Sequence, residues 1–327
     1  MRAPEFWQRR GAASTALLPA AALFDAAGRL RRRLAHPAQA GMPVICIGNL
    51  VAGGAGKTPL TLALAEDLTR RGLAVRILSR GYGGSLAGAV QVDPTIHSYR
   101  ETGDEPLLLA EAAPCIVARD RPAGAALARQ SGGQMLLMDD GLQNPSLVQD
   151  LRLIAVDGGY GFGNGRVMPA GPLREARAGG LERAQAAVLI GEDPHGLGSD
   201  LARHLPVARA RLVASGDTAH WRGRRVVAFA GIGRPQKFFD SLTGLGVDLV
   251  AGISFPDHHP YRADELADLV EQADRGNATA VTTAKDWVRL PAELRARVET
   301  LPVRLAWTRP CDQNLIERLI LPLLGAA

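Results

Sequence analysis

Four strand-forming residues, Val44-Ile45-Cys46-Ile47, run straight into a glycine-rich turn that closes on Gly56-Lys57-Thr58, and an apolar pattern of helical period follows. A buried strand, a glycine turn and a helix are the opening of a β-α-β unit. That unit commits a chain to a parallel sheet covered on both faces. The turn also predicts a phosphate cradle over Gly53, Gly54, Ala55, Gly56, Lys57, Thr58 and Pro59. Glycines let backbone N–H groups converge on an anion, the helix N-terminus adds its dipole, Lys57 reaches the β- and γ-phosphates, and Thr58 offers its hydroxyl to Mg²⁺. Val51 stands where the strict pattern has its first glycine. Among 38 basic residues only Lys57, Lys237 and Lys285 are lysines. A lysine kept inside an arginine-rich chain points to a site that needs a compact ammonium.

The same alternation continues along the chain. Apolar strands are expected near 75–78, 115–118, 135–138, 153–156 and 186–190, with helices over 60–71, 104–112 and 123–130 between them. A polar break at 215–225 precedes a second run of strands near 226–231, 247–253, 278–282 and 303–307. The fold class is therefore α/β: a P-loop NTPase-type parallel sheet domain over 36–218, a smaller α/β domain over 219–327, and an N-terminal amphipathic helix within 1–35.

That N-terminal segment holds seven arginines against Glu5 and Asp25, so it accounts for the whole net charge of +5. The basic charge is confined there, which argues against nucleic acid as a partner of the remaining chain. The apolar stretch 16–24 is far shorter than the roughly 20 residues a spanning helix needs. Placed on a helix, Leu17, Ala20, Ala21, Phe24, Ala27, Leu30 and Leu34 share one side, a basic amphipathic pattern suited to an anionic membrane surface. Cys46, Cys115 and Cys311 show neither pairing nor metal-ligand spacing and read as small core residues.

Several residues outside the turn could carry chemistry. The strand 135–138 delivers Asp139 and Asp140 at its carboxyl end, where such a carboxylate holds Mg²⁺ beside the cradle. Asp104, after Gly103, suits either a helix cap or a general base. The run Asp257-His258-His259 places two of seven histidines in one loop, fit for proton abstraction or, less well supported by ligand spacing, for zinc. Arg80 and Arg174 stand in irregular loops, where a guanidinium fork suits a phosphate or an anionic headgroup. Lys285 is positioned to touch nucleotide or to pair with Asp286.

Together these motifs resemble the tetraacyldisaccharide 4′-kinase family. The resemblance is carried in order by Gly48-Asn49-Leu50 with the cradle, Ser79-Arg80-Gly81-Tyr82-Gly83, Gly103-Asp104-Glu105-Pro106, Asp139-Asp140-Gly141-Leu142-Gln143 and Gly171-Pro172-Leu173-Arg174-Glu175. In the second unit it continues through Phe229-Ala230-Gly231-Ile232-Gly233, the 255–259 loop and Thr282-Thr283 with Lys285-Asp286. It implies ATP-dependent phosphorylation of the 4′-hydroxyl of a lipid A precursor, tetraacyldisaccharide 1-phosphate, at the cytoplasmic face of a bacterial inner membrane. It further implies Asp104 and His258 acting together as base, Lys57 as the phosphate-side catalytic residue, and Thr58, Asp139, Asp140 and Glu175 around Mg²⁺. Asn49, Arg80, Tyr82 and Arg174 are expected on the acceptor side. The family also carries a non-glycine at the position of Val51. The chain departs from the family at Asn144, Gln149, Ala176 and Ala284. The competing reading is a phosphate-loop GTPase or ATPase of cofactor or metallocentre assembly. The spacing in Thr283-Ala284-Lys285-Asp286 fits the base-selecting motif of GTPases poorly, which favours ATP.

Overall fold

Val44–Gly48 forms β1 and is buried at every position, because its alternate side chains enter two different cores. Ile45 and Ile47 join Leu60, Leu64 and Leu68 of the helix Lys57–Arg70, while Val44 and Cys46 join Leu136, Met138 and Ile154 on the opposite face. A strand covered on both sides has no polar face to show, hence its unbroken apolar run. The computed structural model describes residues 4–325; Arg2, one of the N-terminal arginines, lies outside the described residues.

Further strands follow in chain order: β2 Val75–Ser79, β3 Ala89–Gln91, β4 Cys115–Ala118, β5 Met135–Asp139, β6 Leu151–Asp157, β7 Ala186–Ile190 and β8 Val207–Ala214. After them come β9 Arg225–Ala230, β10 Asp248–Ser254, β11 Thr279–Thr283, β12 Val298–Leu301 and β13 Val303–Trp307. A nine-stranded sheet has the order β13-β8-β7-β6-β1-β5-β2-β4-β3, and a four-stranded one the order β10-β9-β11-β12. The small sheet is parallel throughout. The large one is parallel except at its two edges, where β3 runs against β4 and β13 against β8.

The last pairing corrects the expected boundary of the second unit at its C-terminal end. Val303↔Ala214 through Trp307↔Ala210 place β13 in the large sheet. The helix Pro310–Leu324 then sends Ile316 and Ile320 into the same core as Leu64 and Leu68. The chain thus leaves the large unit, builds the small one, and returns. Nothing local in Val303-Arg304-Leu305-Ala306-Trp307 says which sheet it will join; that is settled by a partner about ninety residues away in sequence.

The N-terminal segment forms the helices Ala12–Ala16 and Leu18–Leu34. Its docked line is Ser14, Leu17, Ala21, Asp25, Gly28 and Arg32, and Ser14, Ala21 and Asp25 on it are buried. Leu18, Leu23, Phe24, Leu30 and Leu34 face outward and are exposed. The docked line thus mixes Leu17, Ala21 and Gly28 with Ser14, Asp25 and Arg32, and the expected single apolar side is divided: Leu17 and Ala21 lie on the docked line while Phe24, Leu30 and Leu34 are exposed. Among the described residues no helix is long and apolar enough to cross a membrane.

Ile316 is 1 % exposed in the core of the large unit. Ile316→Ala should cost about 2–5 kcal/mol and lower hydrogen-exchange protection in β1 and β8 while leaving β9–β11 protected. Loss of protection confined to β9–β11 would return the C-terminal helix to the small unit.

Candidate active site

The glycine turn is shaped by contacts beneath it. Gly56 caps the helix Lys57–Arg70 at φ +85°, and a Cβ there would lie 2.6 Å from Ile190 Cδ1, so both backbone and space demand glycine. Val51 is buried and bridges Leu173, flanked by Ala52 N–H donating to Pro172 O at 2.8 Å and Arg174 N–H to Leu50 O at 2.8 Å. The bridge and both bonds are backbone; what a glycine at residue 51 would lose is the apolar packing of the Val51 side chain in the same core as Leu173. Asn49 is fully buried, and its Nδ2 donates to Val51 O at 2.8 Å and Gly53 O at 3.3 Å. It braces the turn from within the fold, and its Oδ1 is buried with no partner. Lys57, Thr58, Pro59 and exposed Gly53 and Gly54 lie above it with Ala55 buried below.

Asp139 ends β5 beside β1, in register with Ile47. Its Oδ1 accepts from Thr61 Oγ1 at 3.1 Å, and its Oδ2 is buried with no partner. Burial, then the neighbouring Glu105 and Asp140 charges, push its carboxyl up to about 7 against the pull of Lys57 and Thr61. Asp140 has the opposite fate. It sits in the left-handed region at φ +51°, accepts from Arg174 Nη1 at 2.7 Å and lies 3.7 Å from Lys57 Nζ. Burial works to raise it, but Lys57 and Arg174 outweigh that and hold it below the usual carboxylate range. A buried carboxylate oxygen without a donor, next to a second carboxylate that lies 3.7 Å from Lys57 Nζ, fits a hard divalent cation with oxygen ligands. Among the described residues no group of three or more His, Cys, Asp and Glu side chains could hold a metal.

Glu175 is 2 % exposed, takes Arg183 Nη2 on both oxygens at 2.7 Å and Gln143 Nε2 at 3.0 Å, and lies 3.3 Å from Arg32 Nη2.

Asp104 opens the helix Asp104–Ala112 as its first residue, after Gly103 at φ +87°, rather than capping it. A Cβ on Gly103 would come within 2.5 Å of Tyr82 O, so the 79–84 loop rests directly on this helix start. Asp104 Oδ1 accepts from Glu105 N–H at 2.9 Å; its Oδ2 lies 2.8 Å from His258 Nδ1 and 3.4 Å from Arg289 Nε. Burial opposes its ionisation, but the His258 hydrogen bond with Lys285 and Arg289 holds it below the usual range. Ionised Asp104 can only accept, so Nδ1 carries the proton and Nε2 the free lone pair.

His258 belongs to the small unit and reaches Asp104 in a strained left-handed conformation, φ +59°, with its N–H on Gly231 O at 3.0 Å. A buried knot holds that loop. Asp286 accepts from Gly231 N–H and Tyr261 Oη at 2.8 Å and from Arg289 Nη2 at 2.6 Å, and Arg289 also donates to the Gly231 and His259 carbonyls. Lys285 pairs with Glu105 Oε1 at 3.0 Å and lies 3.4 Å from His258 Nε2, so its partner is Glu105 and not Asp286. His259 stacks on Phe255 and is held by Glu265 Oε2 at 2.7 Å, a structural contact rather than half of a metal pair. Tyr82 is exposed with its ring 5.7 Å from His258, and Arg80 is exposed nearby in the chain. A Cβ on Gly233 would lie 3.5 Å from Gly54 N and 3.6 Å from Asp257 Oδ2, so the small unit rests on the phosphate turn beside the His258 loop. Sequence reasoning missed Glu105, Gln143, Arg183 and Arg289. The only local signal was a charged residue beside a motif already noticed.

The family model for tetraacyldisaccharide-1-P 4′-kinase matches residues 13–320. The tetraacyldisaccharide 4′-kinase of Rhodospirillum centenum is 54 % identical over 332 residues, covering 99 % of this chain and 97 % of that protein. That of Rhodospirillum rubrum is 50 % identical and covers 98 % of both. A crystal structure of Aquifex aeolicus LpxK in complex with ATP superposes with a TM-score of 0.73 at 27 % identity, over 94 % of this chain and 99 % of that one.

Asp139 supports a stability prediction. Its folded-state value of about 7 lies above that of an unfolded aspartate. The folded state thus binds the extra proton between those values, and stability falls as pH rises through that window. Asp139→Asn should raise the melting temperature of nucleotide-free protein at pH 8 by about 2–4 °C. The gain should shrink below pH 6, where wild-type Asp139 is itself protonated. A gain independent of pH would refute the buried, unpaired carboxylate.

Proposed function

The chain belongs to the tetraacyldisaccharide 4′-kinase family, and from that premise we propose that His258, oriented by Asp104, takes the proton from the acceptor's 4′-hydroxyl. The enzyme is a kinase of lipid A biosynthesis that uses ATP to phosphorylate tetraacyldisaccharide 1-phosphate. The observation that carries the base assignment is the Asp104–His258 hydrogen bond at 2.8 Å, made across the two units beside the phosphate turn.

Both Asp104 oxygens have partners and the residue is 4 % exposed, whereas His258 is half-buried and its Nε2 has no partner nearer than Lys285 Nζ at 3.4 Å. The acceptor hydroxyl therefore meets the imidazole. As Nε2 takes up the proton, the Asp104 carboxylate stabilises the imidazolium through Nδ1–H. Lys285 Nζ lies 3.4 Å from Nε2, and Glu105 offers the ammonium another partner at 3.0 Å. On the donor side the N–H groups of the turn and Lys57 Nζ bind the β- and γ-phosphates and hold them in line with the hydroxyl. Thr58, Asp139 and Asp140 would hold Mg²⁺, which when bound neutralises charge on the transferring phosphoryl group. Arg174 secures Asp140, and Arg80 with Tyr82 lines the acceptor side of the His258 loop.

A peripheral position on the cytoplasmic face of the inner membrane is supported by the outward apolar line Leu18, Leu23, Phe24, Leu30 and Leu34, with Arg29, Arg31 and Arg33 beside it. Hydrophobic side chains enter the interface and arginines meet anionic headgroups.

With detergent-dispersed acceptor and labelled ATP, label should appear on the lipid; label found only as free phosphate would overturn the kinase reading. His258→Ala should lower turnover about 10²–10⁴-fold while leaving ATP affinity intact; near-normal turnover would overturn the base assignment. Lys57→Ala should lose both turnover and ATP affinity. Replacing Leu23, Phe24 and Leu30 with serine should reduce cosedimentation with vesicles containing phosphatidylglycerol; undiminished binding would move the membrane contact elsewhere.

A further inference from the structure

The inward face of the N-terminal helix touches the loop that carries Arg174 and Glu175, and this contact is polar and specific. Asp25 is 7 % exposed; its Oδ1 accepts from Ala176 N–H at 2.9 Å, and its Oδ2 is paired by Arg29. Arg32 lies 3.3 Å from Glu175 Oε2, and Arg31 Nη2 donates to Gln143 O at 2.7 Å.

From there the bonds lead to the nucleotide site in short steps. Gln143 Nε2 donates to Glu175 Oε1 at 3.0 Å and to Asn49 O at 2.9 Å, and Asn49 braces the turn at Val51 and Gly53. Arg174, next to Glu175, donates to Asp140 at 2.7 Å beside Lys57 and pairs with Leu50 O through its N–H. A membrane anchor alone needs only its outward side chains. A buried aspartate and an arginine aimed inward have no part in lipid contact, and burying them is tolerated only because both are paired.

We propose that the N-terminal helix is also a component of the nucleotide site, with Asp25 and Arg32 as positioning residues that fix the 172–176 segment and Gln143, and through them Asp140 and the phosphate turn. This rests on the reading of Lys57 and Asp140 as the ATP side of the site.

Steady-state kinetics on detergent-dispersed acceptor separate the two parts of the helix. Asp25→Leu and Arg32→Met should each raise the KM for ATP about 5–20-fold, the size expected when one charged hydrogen bond is lost. The KM for the lipid and cosedimentation with phosphatidylglycerol vesicles should stay unchanged. Asp25→Asn keeps an acceptor for Ala176 N–H, and Arg32→Lys keeps a cation for Glu175; both should restore the KM to within about twofold of wild type. Arg31→Ser removes an exposed side chain without endangering the fold and should raise the KM for ATP about two- to threefold. Lys57→Ala serves as the control. If it leaves ATP affinity intact, the site reading fails. If it abolishes ATP affinity while the Asp25, Arg32 and Arg31 variants keep a wild-type KM for ATP, or lose only vesicle binding, the positioning role is overturned.

Discussion

The hydrogen bond between Asp104 and His258 is the constraint around which the rest of the molecule is arranged. Each residue comes from a different unit, and each is held in a costly conformation or environment by that unit. Asp104 is a buried carboxylate at a helix start, made bearable by His258, Arg289 and the Glu105 N–H. His258 is a non-glycine residue at positive φ, fixed by the Gly231 carbonyl and the Asp286–Arg289–Tyr261 knot beneath it. Strain of this kind persists only where surrounding contacts over-determine it. Here those contacts also seat the small unit on the phosphate turn.

Asp139 and Asp140 show how two adjacent carboxylates are given opposite properties. They differ by which side of the β5 end they face. Asp139 points to the face covered by the helix Lys57–Arg70, where burial and like charge raise it and one oxygen has no donor. Asp140 turns left-handed toward Lys57 and Arg174 and stays ionised. A single strand end thus supplies one firmly anionic group and one held near neutrality until a cation or donor reaches it.

Much of this was legible in the chain. The turn 53–59, the strand that delivers Asp139 and Asp140, and the alternation of the large sheet follow from local rules: glycine at positive φ, apolar runs for strands buried on both faces, helices opening after glycine. Other parts were not. β8 carries Arg209 and Arg211 among its apolar residues, so no apolar run marks it; β3 has three residues, and Glu299 and Thr300 interrupt β12. Glu175 stood out by its place in a motif, but the arginines that hold it, Arg32 and Arg183, lie outside that motif.

By itself, the sequence determined the parallel α/β architecture, the phosphate turn, and the apolar-basic character of the N-terminal helix, because each depends on residues within one or two turns of chain. Tertiary structure decided which way that helix faces, that β13 returns to the large sheet, and that Asp104 meets His258 across 154 residues. These outcomes depend on burial and pairing between distant segments. A charge or an apolar side chain acquires its role only once the fold chooses its neighbours.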